Sequence, residues 1–457
     1  MKKLFAIIAV IIPVAISVFS YPNGAISVLI CIPFVLLVAS RLRKMQSDQD
    51  FLIMVFVAAF FLRILVAVFI YEYKLEIFFG GDAIAHEFHG YSLYEVWNGT
   101  GETASFLNDW NKPWGLHLLI ATVYSFIGRN PLAIQFISSF CGAMTAVLIY
   151  LCTFKIFKNR KASKVASILT AFSPAMIIWS SQILKDGIVV FLVVAAVYFL
   201  LRLQEEFSWI DTLLLLASLA GTLSVRFYIF YFASFACVGS FMFGSEKLVA
   251  SNIRWLVILT ALLVVFSYAG VLTVGTEQLE RISNIERIQY SREVLAREAG
   301  SGFAENSDIT TPTGALAALP VGFAYLMLAP FPWEFGSFRS LLPLPEMIVW
   351  WALIPLLISG FAFTVRKRFR QSVPILLFAI ALTIAYSLFQ TNVGTAYRQR
   401  TQIQVFLFMF IAVGWTLREE KKENLRLVKE VRHRMTVPDD LDEVLQSSVA
   451  VRERERF

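Results

Sequence analysis

Phe51-Leu52-Ile53-Met54-Val55-Phe56-Val57-Ala58-Ala59-Phe60-Phe61-Leu62-Arg63-Ile64-Leu65-Val66-Ala67-Val68-Phe69-Ile70-Tyr71 is apolar but for one arginine, and it is long enough to cross a bilayer. A short polar interval follows: Phe79-Gly80-Gly81-Asp82-Ala83-Ile84-Ala85-His86-Glu87-Phe88-His89-Gly90-Tyr91. Runs of the first kind recur along the chain, so this is a polytopic all-α membrane protein. Intervals of the second kind are few, so polar chemistry has few places to be.

The composition agrees. The chain is 58% hydrophobic and 16% charged, with a mean hydropathy of +0.67. That excludes an ordinary soluble globule, and the alternating ten-residue segments of a β-barrel are absent. The net charge of +7 does not point to nucleic acid, because Lys and Arg concentrate in short inter-helix loops and the tail, where they set orientation. Cys31, Cys141, Cys152 and Cys237 all lie in apolar runs, which argues against a disulfide framework or a metal-thiolate site.

Working outward, spans at about 4–20 and 24–40 form a hairpin turned by Tyr21-Pro22-Asn23-Gly24. The start, Met1-Lys2-Lys3 and an apolar run, is read as an uncleaved first span. Arg41, Arg43 and Lys44 place the following loop in the cytoplasm, so 51–71 exits outward and 72–114 is the first long outer loop. Arg63 inside that span is either functional or a paired, snorkelling arginine. Further spans are expected at 132–157, 165–180, 187–203, 209–225, 227–244, 254–275, 345–364, 373–390 and 402–416, twelve in all with both termini cytoplasmic; fourteen is the alternative. The runs 115–129 and 315–331 are read as interfacial or re-entrant, which keeps the basic loops inside. The second outer segment, 276–345, opens with an amphipathic pattern at Leu279, Ile282, Ile285, Ile288 and Leu295. Thr391 to Arg400 is read as an outer turn, and 417–457 as a charged cytoplasmic tail after a transmembrane domain of 1–416.

On this topology the polar groups gather at the outer ends of spans: Asp82, His86, Glu87 and His89; Lys112 and His117; Lys185 and Asp186; Arg226; Glu334; and Tyr397, Arg398 and Arg400. Carboxylates beside an electropositive pocket suit transfer onto a hydroxyl from a phosphate-activated donor. A carboxylate takes the acceptor proton and cations steady the departing phosphate. Asp82 is the base candidate, with helix capping as the competing reading. Lys185, Arg226, Arg398 and Arg400 are the phosphate-binding candidates. His86, Glu87, His89 and Asp186 are candidates for acceptor contacts or support. No cofactor is certain from these residues; imidazole and carboxylate would suit a divalent metal.

The order of weak motifs carries a family likeness. An acidic residue in the first outer loop is followed by Asn111-Lys112-Pro113-Trp114-Gly115 and by Phe126-Ile127-Gly128-Arg129-Asn130-Pro131. A long helix, a basic turn, Ser173-Pro174 and Leu184-Lys185-Asp186 come next. This layout resembles the GT-C superfamily of polyprenyl-phosphate-sugar-dependent glycosyltransferases. The likeness is to the bacterial relatives of protein O-mannosyltransferases and of the lipid A aminoarabinose transferase, and it is clearest over about residues 75–205. Ala329 to Trp333 and Tyr397 to Arg400 are similar to the later part of bacterial members that act in envelope polysaccharide synthesis.

The resemblance implies an inverting transferase in a bacterial inner membrane, with its site facing the periplasm. Its partners would be a polyprenyl-phosphate-linked sugar, a glycan, lipid or protein acceptor, and membrane lipids. Asp82 would be its base, Lys185-Asp186 would border the site and a late arginine would bind phosphate. Many members carry two adjacent acidic residues in the first loop; here Gly81 and Ala83 flank Asp82. The alternatives are a polymerase or ligase using a diphosphate-linked glycan, and a lipid or glycan transporter.

Overall fold

The structure, a computed structural model, describes residues 2–45, 47–100, 114–243, 285–298, 301–303, 308–334 and 341–435. The expected span at 254–275, Lys112, and Leu279 and Ile282 of the amphipathic pattern lie outside the described residues. In chain order the helices are α1 (Lys2–Phe19), α2 (Asn23–Arg43), α3 (Gln49–Glu72), α4 (Asp82–Trp97), α5 (Gly115–Ile127), α6 (Pro131–Phe157), α7 (Arg160–Phe172) and α8 (Pro174–Ser180). They continue as α9 (Lys185–Glu205), α10 (Trp209–Val225), α11 (Phe227–Phe243), α12 (Ile285–Glu298), α13 (Pro312–Leu328), α14 (Leu344–Lys367), α15 (Phe369–Phe389) and α16 (Val393–Met435). No β-strand occurs among the described residues. Helices α2, α3, α6, α9, α14, α15 and α16 are each long and apolar enough to cross a membrane. The protein is a polytopic helical membrane protein.

Ion pairs sort the loops to the two ends of the bundle. At one end, Asp48 accepts hydrogen bonds from Tyr150 Oη at 2.7 Å and Lys164 Nζ at 2.6 Å. There too, Lys155 and Lys158 pair with Glu205, and Arg202 meets Asp211 at 3.0 Å. These contacts join the α2–α3, α6–α7 and α9–α10 turns, the basic loops expected inside. The opposite end collects the C-termini of α3, α8 and α10 and the N-termini of α9, α11 and α16.

Helix α5 begins and finishes at that opposite end. Gly115 abuts Ser224 so closely that a Cβ would collide with it, and Asn130, just past the helix, donates to the Asn23 carbonyl at 3.1 Å. Thirteen residues make about 20 Å of helix, short of the roughly 30 Å hydrocarbon core. Helix α13 also stays near this end: Gly322 presses on the Ser387 backbone, and the Tyr325 ring stacks on Phe303 at 4.0 Å. The described part of the amphipathic pattern is helical, as α12. Its Ile288 and Leu295 face a cavity of about 600 Å³ shared with α11 and α15.

Two expected elements differ. The single span at 165–180 is two helices, α7 and α8, bent by 53° at Ser173-Pro174. Proline lacks the N–H that would continue the ladder, and it disfavours helix at the residue before it. The carbonyls released there are taken up by Arg63, which is fully buried. Arg63 donates to Ala171 O at 2.8 Å, Thr170 O at 3.4 Å, Ala59 O at 3.1 Å and Ser180 Oγ at 2.9 Å. Glu346 of α14 holds the start of α8 through Ala175 N and Ser173 Oγ, both at 2.8 Å.

The second difference is that the turn expected at 391–400 is mostly helix, because α16 begins at Val393. Asn392 caps it, its Oδ1 accepting from Gly394 N at 2.8 Å and Thr395 N at 3.2 Å. Helix α16 then runs beside α14, where Gly360 and Gly414 let the two backbones approach with no space for a side chain.

Candidate functional site

Asp82 is the first residue of α4. Gly80 and Gly81 precede it with φ of +117° and +78°, a left-handed turn that glycine adopts without a Cβ penalty. The Asp82 side chain is 59% exposed, and its Oδ2 accepts from Arg398 Nη1 at 2.5 Å. Arg398 lies in the second turn of α16, on the face that also carries Gln402, four residues on.

The same guanidinium reaches a second carboxylate. Arg398 Nε donates to Asp186 Oδ2 at 2.5 Å, and Asp186 is 1% exposed. A buried carboxylate needs partners, and Asp186 has three: Arg398, Arg226 Nη2 at 3.0 Å from Oδ1, and Gln402 Nε2 at 3.4 Å. It also sits in the first turn of α9, where the helix dipole favours an anion. Lys185, next to it, feels the charges of Arg226, Asp186, Arg398 and Asp82. Lys185, Arg226 and Arg398 against Asp82 and Asp186 leave one net positive charge at a half-buried place. Arg226 Nη1 is buried and has no hydrogen-bond partner among the described residues.

A cavity of about 500 Å³ opens onto this cluster. Its lining includes Asp82, Arg398, Trp179, Tyr397, Asn392 and Ser301. The Arg398 guanidinium carbon stands 5.7 Å from the Trp179 ring centre. The Gly302 backbone bridges to Asn392 above it, with Phe303 N on Thr391 O at 2.8 Å and Val393 N on Ser301 O at 3.0 Å. Trp179, Gln402, Asn392 and Ser301 were not read from sequence as site residues. Of these, Asn392 carries a usable signal, since Asn is a favoured helix cap.

The other candidates are distributed as follows. Glu87 is buried and engaged elsewhere: Arg129 grips it with two bonds, at 2.9 and 2.8 Å, and Tyr124 Oη donates to it at 2.9 Å. His86 is one turn on from Asp82, and its Nδ1 lies 3.3 Å from His117 Nε2. The His89 ring packs against His117. Burial, the Lys185 cation and the neighbouring imidazole push His86 down to about 3. Burial and Lys185 push His117 down to about 4. Both rings are therefore neutral at ordinary pH. Among the described residues no group of three or more His, Cys, Asp or Glu is placed to hold a metal ion.

Arg400 faces away from Arg398. It is fully buried and donates to Ala329 O at 3.0 Å and Met327 O at 3.2 Å, closing the end of α13 before Pro330. Glu334 accepts from Tyr325 Oη at 2.7 Å, at the surface.

A multi-pass helical bundle with a cation-rich carboxylate cluster at one end is the kind of membrane protein that can hold an anionic ligand beside a proton acceptor. Residues 111–269 match the family described as dolichyl-phosphate-mannose-protein mannosyltransferase, and the GT-C resemblance read from the sequence holds. The matched segment contains Lys185, Asp186 and Arg226 and stops short of Asp82 and Arg398. Among solved structures the chain is similar to the archaeal oligosaccharyltransferase AglB from Archaeoglobus fulgidus, in complex with an inhibitory peptide and a dolichol-phosphate. The identity is 13% and the TM-score 0.36, over 75% of this chain and 46% of that one. The chain thus spans less than half the length of that relative. No curated protein matches it.

Proposed function

We propose that the protein is an integral-membrane glycosyltransferase. It moves a sugar from a polyprenyl-phosphate donor to a hydroxyl of a glycan, lipid or protein, at the outer face of a bacterial inner membrane, in cell-envelope polysaccharide or glycolipid synthesis. One observation carries this reading: beside a cavity, Arg398 bridges Asp82 and Asp186, Arg226 also holds Asp186, and Lys185 lies within the field of all four. That excess of positive charge fits a phosphate, and the family match supports a lipid-phosphate donor.

Asp82 takes the proton of the acceptor hydroxyl. The acceptor oxygen bonds to the anomeric carbon from the face opposite the phosphate, and the bond from that carbon to the phosphate oxygen breaks. Its electron pair leaves on the phosphate, and the configuration inverts. Arg398, Lys185 and Arg226 steady the charge that develops there. Asp186 is the positioning residue that aims both guanidinium groups. Arg400 is a brace for the end of α13 and takes no part in phosphate binding.

The test is transfer of radiolabel from polyprenyl-phosphate sugars in membranes, comparing wild type with Asp82→Ala at matched expression. Loss of a general base costs about 10²- to 10⁴-fold, so label transfer should fall by that much. Transfer at the wild-type rate would move the base elsewhere. Transfer from a diphosphate-linked oligosaccharide alone would replace the reading with a polymerase.

A further inference from the structure

We propose, on the footing of that reading, that Asp82 and the donor phosphate share one binding edge, Nη1 of Arg398, so that donor binding is the event that frees Asp82 to act as base.

The two ends of the Arg398 ion bridge are unlike. Toward Asp186 it is fixed: that carboxylate is 1% exposed and also held by Arg226 and Gln402. Toward Asp82 it is loose. Asp82 is 59% exposed, makes no other side-chain hydrogen bond among the described residues, and follows two glycines with positive φ. Of the two anions on Arg398, Asp82 is the one that can be exchanged.

A carboxylate and the donor's phosphodiester present oxygens of the same kind to a guanidinium, two free oxygens and one charge each. The phosphodiester gains a third oxygen and further charge as the bond to the sugar breaks, so it becomes the stronger bidentate partner as the reaction proceeds. It would also feel the charge of Lys185, which lies in the field of Arg398 and Asp82 and makes no hydrogen bond or ion pair among the described residues. While Asp82 is bonded to Arg398, its Oδ2 is taken up by the guanidinium and is not open to an acceptor hydroxyl. A base and a leaving phosphate must also lie on opposite faces of the anomeric carbon. They cannot both stay on one arginine nitrogen through the reaction. Exchange at Arg398 satisfies both requirements and couples them: no donor, no free base. Water at the cavity mouth is then not activated before the sugar arrives, and donor binding precedes acceptor activation.

The consequence has an unusual sign. Removing the charge of the catalytic base should improve donor binding. The experiment is titration of purified full-length protein in detergent with a C15 prenyl monophosphate, for wild type, Asp82→Asn and Lys185→Ala, with Asp82→Ala as a second variant of different shape. Removing a partly exposed charged competitor should tighten binding on the order of fivefold in both Asp82 variants, while Lys185→Ala weakens it. Equal or weaker binding by both Asp82 variants, with Lys185→Ala still weak, overturns the shared edge and leaves the phosphate site standing. Failure of every form, wild type included, to bind the monophosphate overturns the phosphate reading and the shared edge with it.

Discussion

Asp82 and Glu87 lie five residues apart on one helix, and their surroundings give them different work. Glu87 is buried between Arg129 and Tyr124; Asp82 stands in the cavity. The Arg129 side chain is half exposed, so its pair with Glu87 is solvent-screened. Glu87→Gln keeps an acceptor for Tyr124 and should cost no more than about 1 kcal/mol. Glu87→Leu leaves the Tyr124 hydroxyl, which is fully buried, without a partner and should cost about 1–3 kcal/mol. Thermal unfolding in detergent reads both, and transfer per folded molecule should stay within about twofold for Glu87→Gln. Lost transfer with an unchanged melt would put Glu87 in the chemistry.

At this scale the sequence showed which residue types were present but not which of them meet. Asp82, Lys185-Asp186 and Arg398 each stood out as polar groups in an apolar chain. Nothing local tells that Arg398 reaches back 212 residues to Asp186 and 316 to Asp82. Nor does anything local turn Arg400 inward while Arg398 turns to the cavity. That follows from helical geometry, once 393–400 is known to be helix.

At the scale of elements, the break between α7 and α8 supports the site, because α8 carries Trp179. The intramembrane Arg63 is neither snorkelling nor paired with a carboxylate in the described structure; it satisfies the carbonyls that Pro174 releases. Arg63→Met removes these donors while preserving bulk. It should destabilise the protein by roughly 3 kcal/mol, seen as a lower unfolding temperature in detergent; an unchanged melt would refute the bracing role. Hydropathy foretold the long apolar helices well, since length and composition suffice for them. It read 165–180 as one span because Pro174 interrupts the backbone without interrupting the apolar run. It read 393–400 as a turn because the first two turns of α16 are polar, although Asn392 is a good cap.

For the whole molecule, charge and topology agree. The Asp48, Glu205 and Asp211 pairs mark one end and the Asp82–Arg398–Asp186 bridge the other. Single cysteines at Lys161 and Trp333, in a background lacking Cys31, Cys141, Cys152 and Cys237, should therefore react oppositely in intact cells. An impermeant maleimide should label position 333 and label position 161 only after lysis. Labelling of both before lysis would break the assigned orientation. The positive-inside rule can propose this orientation from sequence because it needs only loop charges. That α5 does not cross was legible only as a preference, and contacts at both of its ends decide it.

Helix α16 is also a depth gauge. From Arg398 to Trp415, a half-exposed aromatic with Arg418 one turn beyond it, seventeen residues of unbroken helix measure about 26 Å. The hydrocarbon layer is roughly 30 Å thick. On the proposed orientation, with Trp415 at the inner headgroups, the Arg398 guanidinium would hang a few ångströms beneath the outer headgroups, at a level metered from the far side of the bilayer by a rod with no slack. A guanidinium at that depth could be met by a lipid's phosphate drawn a few ångströms inward, and a thicker or thinner membrane would shift the match.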